Sequence, residues 1–117
     1  MNIFLLNGET AKLKLRGKHL RSKSRSQFQH DIGQQLKKQY PYDKIFEEVF
    51  IPVENFVLDF FIPSLHLVVE CMGIQHLQHI KFFHKTKREF HRQQNRDQKL
   101  RDWCKLNNLR LEEIYDE

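Results

Sequence analysis

Two acidic residues interrupt apolar segments that otherwise suit buried β-strands. Asp59 lies within NFVLDFFI at 55–62, and Glu70 lies within LHLVVEC at 65–71. Aspartate is a poor strand former, and burying an unpaired carboxylate is costly. Both positions therefore indicate a purpose other than packing, although each acid could also be paired with an Arg or Lys across the sheet.

Side-chain alternation predicts how these two acids are oriented. It places Val57, Asp59 and Phe61 on one face of their strand, and Val68 with Glu70 on one face of the next. If those faces coincide, the carboxylates converge and repel each other unless a hard cation such as Mg²⁺ neutralises them. For two acids on adjacent strands we favour the metal, with Mn²⁺ as a possible substitute.

Polar residues that suit proton transfer follow the second acid. Gly73 allows the chain to leave the strand sharply, and Gln75 and His76 come next. His76 could move a proton near neutral pH or polarise a phosphate. A histidine after a strand is more often an ordinary polar loop residue, and that alternative stays open.

A long helix over 86–107 carries a further acid on its expected core side. The residues at helical spacing on this side are Phe90, Gln94, Asp97, Arg101 and Cys104. Asp97 could orient the ring of His76, or it could pair with Arg101 one turn later. The two interpretations have about equal weight.

A third carboxylate is available from the strand before Asp59. Alternation turns either Glu47 or Glu48 inward, and Glu48 is the preferred candidate for the site, although it could equally face solvent. On the preceding helix, Gln27 is expected to reach the same end of the sheet.

The elements that position these residues follow from local signals. Phe28, Ile32 and Leu36 predict a helix that Ser24 or Ser26 caps and Pro41 ends. The predicted strands and helices are a small hairpin of 3–6 with 12–16, a helix from 26, strands 44–53, 55–62 and 65–71, a helix over 86–107 and a strand over 109–115. This order predicts an α/β (α+β) fold class, in which helices flank a mixed central β-sheet of about four strands (α-β-β-β-α-β).

The positive charge is concentrated near the N-terminus. The formal net charge is +5, from 20 basic and 15 acidic residues. Seven of the basic residues lie in 12–25, which has no acid: Lys12, Lys14, Arg16, Lys18, Arg21, Lys23 and Arg25. Such a segment suits contacts to nucleic-acid phosphates, more than a membrane surface or a solvated arm.

Length and composition favour one domain over 1–117, with the basic segment at 12–25 and a core at 26–115. Two cysteines form no disulfide framework, so we expect a reducing cytoplasm. No apolar run has the length of a membrane span and no signal peptide is expected, so membranes are not among the predicted partners. A single small domain has a short footprint on a nucleic acid, so a homo-oligomer such as a homodimer, or a separate targeting domain, would be needed for long sites.

The order Asp59, Glu70, Gly73 and Gln75-His76 resembles the PD-(D/E)XK nuclease superfamily. It is most similar to the branch of very-short-patch repair endonucleases and phage homing endonucleases. The similarity extends over about residues 22–115. Its segments are SRSQFQ at 24–29, EEV at 47–49, LDF at 58–60, ECMGIQH at 70–76, FFH at 82–84, RD at 96–97 and WCKLNNL at 103–109.

This resemblance implies a restriction-endonuclease-like core and a Mg²⁺-dependent endonuclease acting on double-stranded DNA in a phage-infected bacterium. Asp59 and Glu70 would bind the metal with the backbone carbonyl of Cys71, and Gln75, His76 and Asp97 would be catalytic or orienting groups. The superfamily's usual lysine two residues after the glutamate is Met72 here. A mismatch or branched-DNA endonuclease, and an inactive DNA-binding module, remain as alternatives.

Overall fold

The computed structural model describes residues 1–15, 26–73 and 87–116, without the side chains of Lys87 and Phe90. It is an α+β fold with a four-stranded mixed sheet and two helices, as the sequence predicted. The elements are β1 (Asn2–Phe4), β2 (Thr10–Lys12), α1 (Gln27–Gln39), β3 (Phe46–Ile51), β4 (Phe56–Ile62), β5 (Leu67–Met72), α2 (Lys87–Leu106) and β6 (Arg110–Tyr115).

The boundaries of α1 follow the predicted local signals. Ser26 is the N-cap, and its hydroxyl accepts a hydrogen bond from the backbone N–H of Gln29 at 3.1 Å. Ile32 and Leu36 are buried on one side of the helix. The helix ends at Gln39, since the backbone before Pro41 disfavours helical geometry.

The main sheet has the strand order β3-β4-β5-β6. Strands β3, β4 and β5 form an antiparallel meander, and Phe61 of β4 pairs with Val68 of β5. Strand β6 is parallel to β5, which requires the crossover connection that contains α2. In this parallel pair Glu70 lies directly beside Glu113.

Helices cover both faces of this sheet. On one face α1 packs over an apolar cluster that includes Phe60, Ile62 and Val69. On the other face α2 and the β1–β2 hairpin pack over a cluster that includes Phe61 and Trp103. The ring of Trp103 is fully buried and meets Phe56 edge to face, with centroids 5.7 Å apart. No helix in the described parts of the chain is long and apolar enough to cross a membrane.

The alternation expected for β4 is broken at Asp59, so the prediction that Val57 shares the face of Phe61 is wrong. Phe56 and Leu58 pack in the same cluster as Phe61, whereas Phe60 packs on the opposite face. The cause is a local distortion of the β3–β4 ladder.

The distortion lies opposite Asp59. Glu48 has a φ of 56°, in the left-handed region that non-glycine residues seldom adopt. The register runs from Glu47–Phe60 to Val49–Leu58 and omits a Glu48–Asp59 pair. One residue on each strand therefore leaves the ladder, and the side chains beyond it exchange faces.

The N-terminal hairpin is fastened to the end of α2. Asn107 accepts a hydrogen bond from the N–H of Phe4 at 2.7 Å, and its amide donates to the carbonyls of Phe4 and Trp103, each at 3.0 Å. A further bond joins the N–H of Leu6 to the carboxylate of Glu54 at 2.8 Å. These contacts fix the hairpin from which the basic segment continues.

We expect Asn107→Ala to lower the free energy of unfolding by about 1–2 kcal/mol, because three hydrogen bonds to main-chain groups are lost. Chemical denaturation with Trp103 fluorescence measures this effect. Asn95→Ala is the control, since Asn95 is exposed on the same helix. Equal midpoints for wild type and Asn107→Ala would contradict the role of Asn107.

Candidate metal centre

Strands β4 and β5 separate where the two acids lie, and the carboxylates replace the missing ladder bonds. The last paired residues are Phe60 and Val69. Beyond them, the N–H of Asp59 donates to Oε2 of Glu70 at 2.7 Å, and the N–H of Cys71 donates to Oδ2 of Asp59 at 2.8 Å. The two side chains are thus held together between the strands, as the sequence predicted.

These acids line a cleft of about 340 Å³ between the sheet and α2. Asp59 is 7% exposed and Glu70 is 9% exposed, so both are largely desolvated. The wall formed by α2 contributes Gln93, Arg96, Asp97 and Leu100, and the strands and the β3–β4 turn contribute Asn55, Phe56, Val57, Cys71 and Met72.

Two further acids lie near Glu70. Asp97 lines the same cleft, and Glu113 is the parallel-strand neighbour of Glu70. Arg101 binds Glu113 in a bidentate arrangement, with Nε–Oε1 and Nη2–Oε2 distances of 2.8 Å. Because Arg101 binds Glu113, the charge of Glu113 beside Glu70 is largely neutralised.

The electrostatic consequence is largest at Glu70. Burial raises the pKa of Glu70 well above its usual value, and the neighbouring Asp59, Asp97 and Glu113 raise it further, against a hydrogen bond from the Asp59 backbone that lowers it. Burial beside Glu70 and Glu113 also raises the pKa of Cys104 to about 12. That thiol therefore stays protonated and is a packing group.

The carbonyl of Cys71 has an orientation compatible with the predicted metal ligand. The N–H and C=O of one strand residue point to the same side. Since the Cys71 N–H points to Asp59, its carbonyl also faces β4. Coordination of a metal by this carbonyl stays a prediction.

The predictions on α2 are met in part. Asp97 faces the cleft and Cys104 is buried, but Gln94 is exposed and Gln93 takes the inward position. The side chain of Phe90 lies outside the described part. Arg101 is bound to Glu113. The orienting role of Asp97 stays a prediction.

The helix residue that reaches β3 is Gln29, so the prediction for Gln27 is wrong. Gln29 donates to Glu47 at 2.8 Å, whereas Gln27 donates to Asp31 on the helix surface. Gln29 shares the buried side of α1 with Ile32 and Leu36, which explains the difference. Glu48 lies opposite Asp59 in the register but is not among the side chains that line the cleft, so its catalytic role stays a prediction.

Several predicted residues lie outside the described part of the chain. Gln75 and His76 belong to the segment 74–86. Arg16, Lys18, Arg21, Lys23 and Arg25 belong to the segment 16–25. Of the predicted DNA-binding residues, Lys12 and Lys14 are described, and both are exposed.

Glu113 and Arg101 join the site through tertiary structure. The segment LRLEEIY offered a signal for Glu113, because one of two consecutive acids in a strand turns toward the packed face. That Glu113 lies beside Glu70 could be identified only from the parallel register of β5 and β6.

Within the described residues, no group of three or more His, Cys, Asp or Glu side chains has the arrangement of a metal site. The candidate centre therefore depends on two carboxylates, Asp59 and Glu70. Their oxygen atoms are the ligands that Mg²⁺ prefers. Burial first, and then the neighbouring Asp59, Asp97 and Glu113, disfavour the charged form of Glu70 and raise its pKa, and a nearby cation would favour that charged form. The donor set fits a hard divalent cation.

Comparison with known proteins finds a viral relative. The chain is 43% identical over 60 residues to Uncharacterized protein 307L of Invertebrate iridescent virus 6, an alignment that covers 51% of this chain and 30% of the relative. The chain thus spans less than a third of that protein's length. No family model matches the chain, and no solved structure matches it.

We expect Glu70→Gln to stabilise the metal-free protein at pH 8. As the pH rises, the Glu70 carboxyl of the unfolded wild type loses its proton near the usual glutamate pKa, whereas the folded protein keeps that proton to a higher pH. The free energy of unfolding of the wild type therefore decreases between these two pKa values. The amide can still accept from Asp59 and carries no charge. Thermal unfolding with a chelator measures the gain, at about 4 °C for each kcal/mol.

The gain should shrink as the pH approaches 4.5, the ordinary value for glutamate. Glu112→Gln is the control, because Glu112 is an exposed neighbour on β6. A gain of equal size at pH 8 and pH 4.5 would be incompatible with a raised Glu70 pKa.

For the Arg101–Glu113 pair we expect a coupling energy of about 1 kcal/mol, a modest value because the Arg101 side chain is 40% exposed. A double-mutant cycle with Arg101→Gln, Glu113→Gln and the double variant measures it by denaturation. Arg101→Gln should cost the most, since it leaves Glu113 unneutralised beside Glu70. Strict additivity would show that the pair does not interact.

Proposed function

We propose that the chain is a metal-dependent DNA endonuclease with a restriction-endonuclease-like core. The observation that carries this proposal is the pair of desolvated carboxylates, Asp59 and Glu70, held together where β4 and β5 separate and open to a cleft. The order of strands and helices supports it, as does the resemblance of residues 70–76 to that nuclease superfamily. The proposed reaction is hydrolysis of a phosphodiester bond in double-stranded DNA.

The proposed cofactor is Mg²⁺, which Mn²⁺ could replace. Asp59, Glu70 and the carbonyl of Cys71 would hold it. When bound, such an ion stabilises the charge that develops on a phosphate and makes a water molecule more acidic. The protein itself supplies a site that is fixed before binding, because main-chain N–H groups orient both carboxylates.

Proton transfer is the least defined part of this proposal. Met72 occupies the position of the superfamily's lysine, is 5% exposed and lines the cleft with an apolar side chain. No ammonium group is therefore available from this position. The proposal assigns proton transfer to His76, with Gln75, and assigns the orientation of His76 to Asp97.

Met72 is also the observation that favours a second candidate, a DNA-binding module without catalysis. Among active enzymes, a mismatch or branched-DNA endonuclease is the alternative to a homing endonuclease. Assembly as a homo-oligomer and a location in the cytoplasm of a phage-infected bacterium belong to the proposal as well.

We expect the protein to cut long duplex DNA only with Mg²⁺ or Mn²⁺, because two carboxylates alone repel phosphate. Asp59→Asn and Glu70→Gln should each reduce the cleavage rate by about 100-fold or more, by analogy with the loss of one group that stabilises transition-state charge. Gel analysis of linear DNA over time measures this, with Asp102→Asn and Glu112→Gln as exposed controls.

Metal binding is measured separately by thermal unfolding. Millimolar Mg²⁺ or Mn²⁺ should raise the unfolding temperature of wild type, since a cation that binds only the folded state stabilises it, and should not raise that of Asp59→Asn. Salt-sensitive DNA binding without cleavage would favour the binding module. Cleavage that survives both substitutions would contradict the site.

A further inference from the structure

Helix α2 carries three basic side chains in a line beside the candidate metal centre. Arg92, Arg96 and Lys99 are exposed and are spaced by four and three residues, so they form a stripe within about 60° of the helix circumference. We call these three residues the α2 stripe. They line a groove of about 310 Å³ together with Glu54, Asn55, Phe56 and Asn95.

The groove adjoins the cleft that contains the two acids. Asn55, Phe56 and Arg96 line both depressions. Arg96 therefore stands at the boundary between the acidic cleft and the basic groove. A linear ligand that follows the stripe would pass directly to Asp59 and Glu70.

The stripe lies along one edge of the side of α2 that packs against the protein, where the helix meets the β3–β4 turn. Trp103 follows Lys99 by four residues on the same helix line and is fully buried. The C-terminal part of this line is the buried Trp103. Its N-terminal part consists of the three cations, which line the groove beside the β3–β4 turn. An ordinary solvated charge would be expected on the opposite side of an amphipathic helix.

Within the described part of the chain, none of the three stripe side chains makes a hydrogen bond or an ion pair. Arg101 on the same helix differs, because it is bound to Glu113. The one acid that lines the groove, Glu54, accepts a hydrogen bond from the N–H of Leu6. Like charges at these spacings repel one another and destabilise a helix, and an anionic ligand would relieve that repulsion.

We propose that the α2 stripe binds the phosphate backbone of one strand of duplex DNA beside the phosphate at Asp59 and Glu70. This inference rests on the proposed function for the identity of the polyanion. The stripe spans about 10 Å along the helix axis, which corresponds to about three base-pair steps of rise along the duplex axis. Attraction by the stripe offsets the repulsion between DNA and the acidic cleft.

Fluorescence anisotropy with a labelled duplex tests the proposal in the presence of a chelator, so that no cleavage occurs. The test variant is Arg92→Gln/Arg96→Gln/Lys99→Gln. The control is Lys37→Gln/Lys38→Gln/Lys44→Gln, which removes the same charge from exposed positions in the last turn of α1 and in the loop between α1 and β3.

The dependence of log K on log salt concentration reports how many phosphates are neutralised. We expect the slope to fall in magnitude by roughly 2–3 for the stripe variant, and by less than about 1 for the control. If the triple variant does not fold, as judged by circular dichroism, the single variants Arg92→Gln and Lys99→Gln should each lower the slope by about 1.

Equal losses in the two triple variants would overturn the proposal, because they would reflect net charge alone. An unchanged slope in the stripe variant would overturn it too, as would wild-type protein that does not bind DNA. If the stripe variant shows the expected loss but wild type never cuts with metal, the stripe stands and the proposed nuclease activity fails.

Discussion

The carboxylates of Asp59 and Glu70 satisfy main-chain donors that the sheet has left without ladder partners. The N–H groups of Asp59 and Cys71 would otherwise be buried without acceptors, at a cost of about 1–3 kcal/mol each. Each acid therefore stabilises the separation of the two strands by accepting a main-chain hydrogen bond. In this position between the strands, both carboxylates are largely shielded from bulk water. Because Glu70 is buried beside other acids in this arrangement, its charged form is disfavoured and its pKa is raised. The same geometry presents two hard oxygen ligands to the cleft.

The rest of the architecture fixes what stands opposite these acids. Leu100, Trp103 and Cys104 bury one side of α2 against the sheet, which places Asp97 in the cleft wall. The crossover through α2 also makes β6 parallel to β5 and brings Glu113 beside Glu70. Without Arg101, this register would put an unneutralised carboxylate next to one that is already difficult to ionise. The bidentate Arg101–Glu113 contact thus permits a strand pairing that would otherwise be unfavourable.

The sequence predicted those features that depend on local signals. Ser26, Pro41 and the apolar strand segments determine element order, and Asp59 and Glu70 stand out because carboxylates are costly in apolar strands. Features that depend on register or on helix rotation could not be predicted in the same way. Glu113 becomes a neighbour of Glu70 only through a pairing across 43 positions. The face exchange at Asp59 depends on the left-handed backbone of Glu48, for which the sequence has no glycine to signal it.

The order of charges along the chain likewise does not show how they are arranged on the surface of the folded protein. Along the chain, residues 12–25 hold seven basic residues and no acid, whereas α2 holds seven basic residues interspersed with the acids Glu89, Asp97 and Asp102. On the helix surface the two signs separate, since Asp97 turns to the cleft while Arg92, Arg96 and Lys99 line the adjoining groove. Under the proposed function, Asp59 and Glu70 would hold a cation that stabilises charge on one phosphate of a polyanion, and the stripe would contact the flanking phosphates. A ligand with a single negative charge could not use both halves of this surface, and for that reason we propose a nucleic-acid backbone and not a small anion as its ligand.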